Sequence, residues 1–332
     1  MTIATGVGSM PGDDQAAFDE AVRLVLGELP DLPHLPEVPG RGATASMTGR
    51  ALAVLSELGA DLQPAGWRLT GTDGPGIDHR RARSLLGQDL DGLEEQADGH
   101  TGSFKVQVAG PWTLAATVER PRGDKVLADH GARRDLAQAL AEGVRDHVRD
   151  VRRRLPGVDR LVVQVDEPAL GAVLAGKVPT ASGWGRHRTV HPPEASAALG
   201  WVLAAIAEEG AEPWVHSCAA DAPLELVRGA GARGLSVDLS QVGAAGHDQL
   251  AEALEKGETV VLGVAPSTEP AASPTDAQLT ESVLRWLDML GLDPATVGGT
   301  LGVSPTCGLA GASYSWTRRV LALLRTSAGN LT

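Results

Sequence analysis

The chain contains 332 residues, of which 42% are hydrophobic, so it has enough apolar material for a packed core and too much for a disordered chain. Its formal net charge of −13 at pH 7 repels a phosphate backbone, so no nucleic-acid partner is expected. The amino terminus has no basic stretch followed by an apolar one, and no apolar run approaches the roughly 20 residues of a membrane-spanning helix. A cytoplasmic protein without membrane contact is therefore expected.

Short runs of β-branched and apolar residues alternate along the chain with longer alanine- and leucine-rich segments of helical period. The short runs end at Gly, Pro, Ser or Asp, which is typical of strands. They predict eight strands, at residues 3–8, 33–37, 104–109, 160–166, 213–217, 233–239, 259–265 and 300–304. The periodic segments predict helices at residues 15–28, 44–58, 133–154, 194–209, 247–256, 275–290 and 313–326.

Strands that alternate with helices pair in parallel through crossover connections. Eight such units in a chain of this length predict an α/β fold, a single (β/α)8 TIM barrel in one domain, residues 1–332. An excursion is expected between strands 2 and 3, where "WRLTGTDGPGID" (67–78) lies. An open doubly wound sheet is the alternative, but "TGVGSMPG" (5–12) lacks the G-x-G-x-x-G order typical of that fold.

Several potential metal ligands lie where predicted strands end, which is where (β/α)8 barrels carry their catalytic residues. Residues i and i+2 of a strand share a face, so His216 and Cys218 can reach one ion, and Cys307 follows the last predicted strand. Zinc favours cysteine and histidine ligands, and Asp238 in the sixth predicted strand offers an oxygen. Taken singly, each cysteine is more simply a small buried hydrophobe and the histidine a hydrogen-bonded core residue. Their joint occurrence at strand ends favours a metal site.

The segment "VVQVDEPAL" (162–170) places two adjacent acids at the end of the fourth predicted strand. Asp166 alternates in phase with Gln164 toward the barrel axis, so it is a candidate for holding a substrate ammonium group. Glu167 has two interpretations of equal weight, a functional carboxylate or the cap of the next helix.

Six segments together resemble the catalytic domain of cobalamin-independent methionine synthase, within the wider group that includes uroporphyrinogen decarboxylase. They are "GVGSMPG" (6–12), "FKVQVAGPWTL" (104–114), "VVQVDEPAL" (162–170), "WVHSC" (214–218), "LSVDLS" (235–240) and "VSPTCGL" (303–309). They occur in the order of the family and span nearly the whole chain, and the last four are the most specific. The resemblance implies a (β/α)8 catalytic barrel that binds zinc and homocysteine.

The resemblance implies a zinc site made by His216, Cys218, Cys307 and Asp238. Asp238 stands where the family has glutamate, so its shorter side chain must approach closer or leave the ion with three ligands before substrate binds. A free thiol has a pKa near ~8.5 and is mostly protonated at pH 7, whereas the thiolate is the nucleophile. Zinc coordination deprotonates the thiol while its sulfur can still attack a methyl group.

The resemblance also implies where the amino-acid part of homocysteine binds. Val7, Gly8 and Ser9 fall on the loop that holds the substrate carboxylate with backbone and hydroxyl groups. Asp166 and Glu37 fall on the amine-binding and catalytic acids, although the surroundings of Glu37 in "PHLPEVPGRG" (33–42) differ from those of the family. Two carboxylates, a carboxylate-binding loop and a thiolate site together suit homocysteine.

Two departures from the family bear on the methyl donor. Full-length members carry a second, amino-terminal barrel that assists folate binding, whereas this sequence predicts one barrel. The family histidine after the seventh strand, which helps protonate the leaving folate nitrogen, has no counterpart in "VLGVAPSTEP" (261–270). Methyltetrahydrofolate must be protonated at nitrogen to leave, whereas methylcobalamin leaves as a stabilised corrin. The hypothesis is that the donor is methylcobalamin or a methylated corrinoid protein rather than methyltetrahydrofolate.

Three functions are alternatives to homocysteine methylation. Methyl transfer to another small thiol such as coenzyme M is disfavoured, because Glu37 and Asp166 would repel its sulfonate. Porphyrinogen decarboxylation uses no zinc thiolate site and needs cationic contacts. The third alternative is a non-catalytic zinc-binding or partner-binding barrel, to which Asp238 in place of glutamate and the missing histidine lend some weight.

Overall fold

The structure, a computed structural model, describes residues 1–71, 73–220 and 222–331. The strands are β1 (Ile3–Ala4), β2 (Gly59–Gln63), β3 (Gly66–Gly71), β4 (Gly102–Ala109), β5 (Val158–Asp166), β6 (Glu212–Ser217), β7 (Gly234–Asp238), β8 (Thr259–Ala265) and β9 (Leu301–Pro305). The α-helices are α1 (Gln15–Glu28), α2 (Met47–Val54), α3 (Ile77–Gln96), α4 (Pro111–Thr117), α5 (His130–Arg154), α6 (Leu170–Leu174), α7 (Pro192–Glu208), α8 (Leu224–Gly229), α9 (Ala244–Glu255), α10 (Asp276–Leu290), α11 (Pro294–Val297) and α12 (Tyr314–Asn330).

Seven strands form one parallel sheet in the order β1-β9-β8-β7-β6-β5-β4, and the sheet curls into a half-barrel. The α/β class and the parallel pairing are therefore confirmed. The register places Asp166 beside His216 and His216 beside Ser236 on neighbouring strands. The carboxyl ends of β5, β6 and β7 consequently meet at one rim.

A closed eight-stranded barrel is not confirmed, because the predicted second strand at 33–37 is not a continuous strand. Pro33 and Pro36 have no N–H group, so this segment cannot form an uninterrupted ladder. It instead connects the two edges of the sheet through backbone hydrogen bonds. These run from Leu35 N to Lys105 O (2.9 Å), Lys105 N to Pro33 O (2.9 Å), Met10 N to Glu37 O (2.7 Å) and Glu37 N to Gly8 O (3.1 Å).

The excursion before β4 is larger than the sequence pattern predicted. It contains the antiparallel hairpin of β2 and β3 and the 20-residue helix α3, which the pattern did not predict; residue 72 of the predicted excursion lies outside the described residues. Helix α3 is polar overall, yet it buries Ala82, Leu86, Leu90 and Leu93 along one face. This spacing of three and four residues is that of an amphipathic helix.

The sheet separates two apolar clusters of different size. Alternate strand residues, such as Phe104, Val106 and Val108 of β4, face the helices and join the large core. A small second cluster fills the concave side of the sheet and consists of Leu32, Val162, Trp214 and Val261, with Ile3 packed against it. Gly234 is required beside this cluster because a Cβ there would overlap the ring of Trp214.

The next concave-side positions toward the carboxyl ends are polar. They are Lys105 and Gln107 of β4, Gln164 and Asp166 of β5, and His216 of β6, all buried. A polar layer thus lies above an apolar floor, which is where a (β/α)8-like fold places its functional groups. No helix in the described ranges is long and apolar enough to cross a membrane.

Candidate functional site

Three of the four predicted metal ligands come together at the carboxyl ends of β6 and β9. His216 lies in β6, Cys218 directly follows that strand, and Cys307 lies two residues beyond β9. One ligand atom from each of the three residues lies within 4.8 Å of the others. In β6 the buried Trp214 precedes His216 by two positions, so strand alternation directs both toward the concave side.

Hydrogen bonding fixes the orientation of the His216 imidazole. Its Nδ1 is 2.9 Å from the hydroxyl oxygen of Ser236 on β7. Its Nε2 is buried and has no hydrogen-bond partner among the described residues. In the tautomer in which Nδ1–H donates to this hydroxyl, Nε2 carries the free lone pair, which is the arrangement of a histidine that binds a metal.

The two cysteines are free thiols that share a hydrogen bond, with their Sγ atoms 2.7 Å apart. This bond, helped by the imidazole of His216, lowers the pKa of Cys307 to about 4. The same bond and burial raise the pKa of Cys218. Two sulfur donors therefore lie beside an imidazole whose Nε2 has no hydrogen-bond partner among the described residues. Cysteine and histidine bind metals in their deprotonated forms, so this donor set fits zinc.

Asp238 lies at the same rim, but its carboxylate is not part of the three-residue group. It accepts hydrogen bonds from the backbone N–H of Ser240 at 2.9 Å and from its hydroxyl at 2.7 Å. The side chain lines a cavity of about 370 Å³ together with Ser217 and Gln241. Both bonds with Ser240 are made by the same carboxylate oxygen, Oδ1.

Glu37 is buried at the end of a network of charged side chains. Its Oε1 accepts a hydrogen bond from Gln107 at 3.1 Å and lies 3.5 Å from Arg50 Nε. Arg50 in turn binds Asp89 of α3 at 2.5 Å. Burial raises the pKa of Glu37, and Arg50 and Gln107 oppose this rise. The carboxylate is therefore held in a fixed position.

Asp166 ends β5 directly beside His216 in the register of the sheet. Its Oδ1 accepts a hydrogen bond of 2.7 Å from the side-chain amide of Gln164. Burial raises the pKa of Asp166 to about 7, against the attraction of His216. Asp166 is thus a poorly solvated carboxyl group next to the His216, Cys218 and Cys307 group.

Glu167 caps a helix, which was one of its two interpretations. Both of its oxygens bind the first turn of α4, which precedes β5, so the capped helix is not the next one along the chain that the sequence predicts. Trp112 N donates at 2.9 Å, Thr113 N at 2.8 Å and the Thr113 hydroxyl at 2.7 Å. Burial raises the pKa of Glu167 to about 7, against these three bonds. Three donors on two oxygens favour the ionised form.

The predicted substrate loop lies against the segment that carries Cys307. Ser9 O accepts a hydrogen bond from Leu309 N at 2.8 Å. The two segments approach closely, since a Cβ at Gly308 would overlap the hydroxyl of Ser9 and displace it. Gly8 is similarly close to Gln107, whose side chain a Cβ at Gly8 would contact at 2.9 Å. The loop and the cysteine group are therefore neighbours.

A model of the family described as "Cobalamin-independent synthase, Catalytic domain" matches residues 102–330. This chain belongs to that family. The resemblance stated from its motifs is thereby confirmed, although "GVGSMPG" (6–12) lies outside the matched range. Enzymes of the family are zinc-dependent in general, and the residues gathered here are a possible His/Cys/Cys site. Membership in this synthase family supports a methyltransferase and the methylation of homocysteine.

The fold agrees with that of a solved enzyme. The chain is similar to a B12-independent methionine synthase from Shewanella sp. W3-18-1 in complex with selenomethionine, at 16% identity and a TM-score of 0.65, covering 100% of this chain and 98% of that one. At this identity the likeness shows the fold alone. A GH5_18 structure from Streptomyces cattleya in complex with GlcNAc has 16% identity, a TM-score of 0.44 and coverage of 99% and 79%, and is too distant to support an argument. No curated protein matches the chain.

Sequence reasoning missed several polar residues of this synthase-family site. Lys105 and Gln107 lie at alternate positions of β4 and face the concave side, and Arg50 on α2 binds Glu37. In "FKVQVAG" (104–110), a lysine and a glutamine two residues apart in an otherwise apolar run were the available signal. A charged residue in a buried strand needs polar partners, and the partners of Lys105 are the carbonyl of Val7 and the side chain of Gln164.

Proposed function

We propose that this chain is a zinc-dependent methyltransferase that transfers a methyl group to the thiol of homocysteine and forms methionine, and that it acts as one catalytic domain. The observation that carries the proposal is the meeting of His216, Cys218 and Cys307 beside the buried carboxyl group of Asp166. A thiol-binding donor set and an ammonium-binding acid on one rim suit an amino acid that carries a thiol.

His216, Cys218 and Cys307 would hold the ion through Nε2 and the two sulfurs. The position left by three protein ligands would take the substrate thiol. Bound zinc lowers the pKa of a coordinated thiol and so supplies a thiolate nucleophile at neutral pH. Asp238 is retained as the proposed fourth ligand in the absence of substrate, and it would bind the ion through Oδ2, since both bonds with Ser240 are made by Oδ1.

The amino-acid part of homocysteine would bind between Glu37, Asp166 and the loop of Val7, Gly8 and Ser9. Both acids are buried, so their attraction for an ammonium group is weakly screened. The loop would hold the carboxylate with backbone N–H groups and the hydroxyl of Ser9. An ammonium and a carboxylate bound at fixed points orient the thiol toward the cysteine pair. The two acids would also disfavour a sulfonate such as that of coenzyme M.

The proposed donor is methylcobalamin or a methylated corrinoid protein, with methyltetrahydrofolate as the alternative that the name of the family favours. The loop after β8 supports the corrinoid, because segment 261–270 contains no histidine to protonate a leaving folate nitrogen. Methionine formation is to be measured with each donor and purified protein. Transfer from methyltetrahydrofolate as fast as from methylcobalamin would exclude the corrinoid preference.

Zinc-edge absorption spectroscopy with and without homocysteine tests the main proposal. We expect about one zinc per chain, and homocysteine should replace one oxygen or nitrogen neighbour of the metal by sulfur. Homoserine, which has a hydroxyl in place of the thiol, should leave the sulfur count unchanged. Cys307→Ser should lose the metal, whereas Thr306→Ala, a change next to the group, should retain it. A metal whose neighbours do not respond to homocysteine would favour the non-catalytic zinc-binding barrel.

A further inference from the structure

Lys105 is a buried lysine that the zinc chemistry does not use. Its side chain is on the concave side of β4, and the residue is 0% exposed. Its ammonium donates to the backbone carbonyl of Val7 at 3.0 Å and to the side-chain oxygen of Gln164 at 2.9 Å. Burial lowers the pKa of Lys105 to about 8, and Asp166 and Glu37 oppose this shift. A desolvated lysine without a role is uncommon, because removing its charge from water is unfavourable.

Gln164 closes the network around the same carbonyl. Its amide group donates to Val7 O at 2.8 Å and to Asp166 Oδ1 at 2.7 Å, while its oxygen accepts from Lys105. The opposite orientation of the amide would place its oxygen against two acceptors, so the bonds assign the orientation. The carbonyl of Val7 and the carboxyl oxygen of Asp166 are therefore connected through Gln164, which Lys105 also binds.

The peptide unit between Val7 and Gly8 links this network to the loop proposed to bind the substrate. The described residues contain no cis peptide bond, so the Val7 carbonyl and the Gly8 N–H point in opposite directions across one planar unit. Because the carbonyl points at Lys105 and Gln164, the N–H points away from them. The lysine thus sets the direction of a backbone donor in the loop proposed to hold the substrate carboxylate.

We propose that Lys105 is a positioning residue for amino-acid recognition, which fixes the Val7–Ser9 loop and, through Gln164, the carboxylate of Asp166 relative to each other. The inference rests on the proposed function and deepens it. Lys105 contacts neither the reacting sulfur nor the cysteine pair in this account. Its loss should therefore impair the binding of homocysteine and leave the reactivity of the thiolate site intact.

The test compares two thiols in Lys105→Met. Homocysteine carries the ammonium and the carboxylate, whereas 2-mercaptoethanol carries neither. With the donor that the wild type accepts, we expect kcat/KM for homocysteine to fall at least tenfold, mainly through KM, and the rate with 2-mercaptoethanol to stay within twofold. Lys105→Arg keeps the charge and donors and should restore part of the loss. Lys256→Met, the same change at an exposed lysine, should have no effect.

Gln164→Met breaks the same network and serves if Lys105→Met does not fold. It should show the same selective loss with homocysteine, and calorimetric binding of homocysteine to the zinc-loaded protein provides a measurement independent of turnover. An equal loss with both thiols, or no loss with homocysteine, would overturn the inference. A wild-type protein that binds zinc but shows no response to homocysteine would overturn the proposed function, and this inference with it.

Discussion

Removal of charge from the adjacent acids should impair different properties: the stability of the fold at Glu167 and the binding of homocysteine at Asp166. Glu167→Gln keeps the shape of the side chain but replaces one acceptor oxygen by an amide group. The carboxylate now accepts from Trp112 N, Thr113 N and the Thr113 hydroxyl. The hydroxyl can turn to accept from the new amide, but one backbone N–H of α4 then faces a donor.

The expected cost follows from these contacts. A buried donor without a partner costs about 1–3 kcal/mol, and the loss of a negative charge at a helix amino terminus adds about 0.5–1 kcal/mol. We therefore expect Glu167→Gln to lower the free energy of unfolding by about 2–4 kcal/mol. Asp166→Asn should lower it by less than about 1 kcal/mol, because burial already disfavours the charged form of Asp166.

Urea unfolding followed by tryptophan fluorescence measures both changes, and homocysteine binding to the zinc-loaded protein separates the two roles. Asp166→Asn should weaken homocysteine binding at least tenfold, the equivalent of about 1.4 kcal/mol. Folded Glu167→Gln should retain most of the affinity. The capping role would be refuted by a Glu167→Gln protein that unfolds within about 0.5 kcal/mol of the wild type, and the functional role of Asp166 by unchanged binding in Asp166→Asn.

Three further changes test other parts of the structure. Gly308→Ala should raise the dissociation constant of homocysteine about tenfold without loss of zinc, because the new methyl group displaces the hydroxyl of Ser9; calorimetry and metal analysis decide, and unchanged affinity would contradict the contact. Arg50→Met leaves Asp89 with Arg41 as its remaining arginine partner and should lower the free energy of unfolding by about 1.5–3 kcal/mol, measured in urea against the exposed change Arg285→Met. Burial lowers the pKa of His147 to about 4 in the folded chain, below its unfolded value of about 6.5, so its contribution to stability is present above pH 6.5 and is lost as the pH falls toward 4. His147→Gln should reduce the decrease in stability between pH 7 and pH 5 by about 2 kcal/mol, and an unchanged pH profile would show that His147 is not responsible.

The strands that carry the cysteine group were predictable because each is a short apolar run with a polar residue at its end. The predicted strand at 259–265 has the observed bounds of β8, and the predicted helix at 15–28 has those of α1. The H-x-C spacing placed His216 and Cys218 on one face, and the likeness of "VSPTCGL" to the family motif brought in Cys307. Local patterns and one long-range motif were sufficient for this part of the site.

The parts that the sequence did not reveal depend on contacts between distant segments. Helix α3 is too polar for its apolar stripe to dominate the pattern, and its burial of Asp89 depends on Arg41 and Arg50 from elsewhere in the chain. The two prolines of segment 33–37 prevent a continuous strand, and the segment is positioned by backbone hydrogen bonds to distant parts of the chain. The partners of Lys105 likewise lie 98 and 59 residues away.

Because the segment at 33–37 is interrupted by prolines, the residues at the rim are held by pairing of unequal strength. His216, Cys218 and Cys307 lie in or just after strands of the continuous sheet, whose edge strands are β1 and β4, whereas Glu37 lies in the gap between those two edges and is held there by isolated bridges. The gap is spanned by isolated bridges rather than a ladder, so its amide protons should exchange with deuterium before those of β5 and β6. Local opening at segment 33–37 should therefore leave the sulfur and imidazole donors assembled, while Glu37 moves away from the proposed binding site of the amino acid.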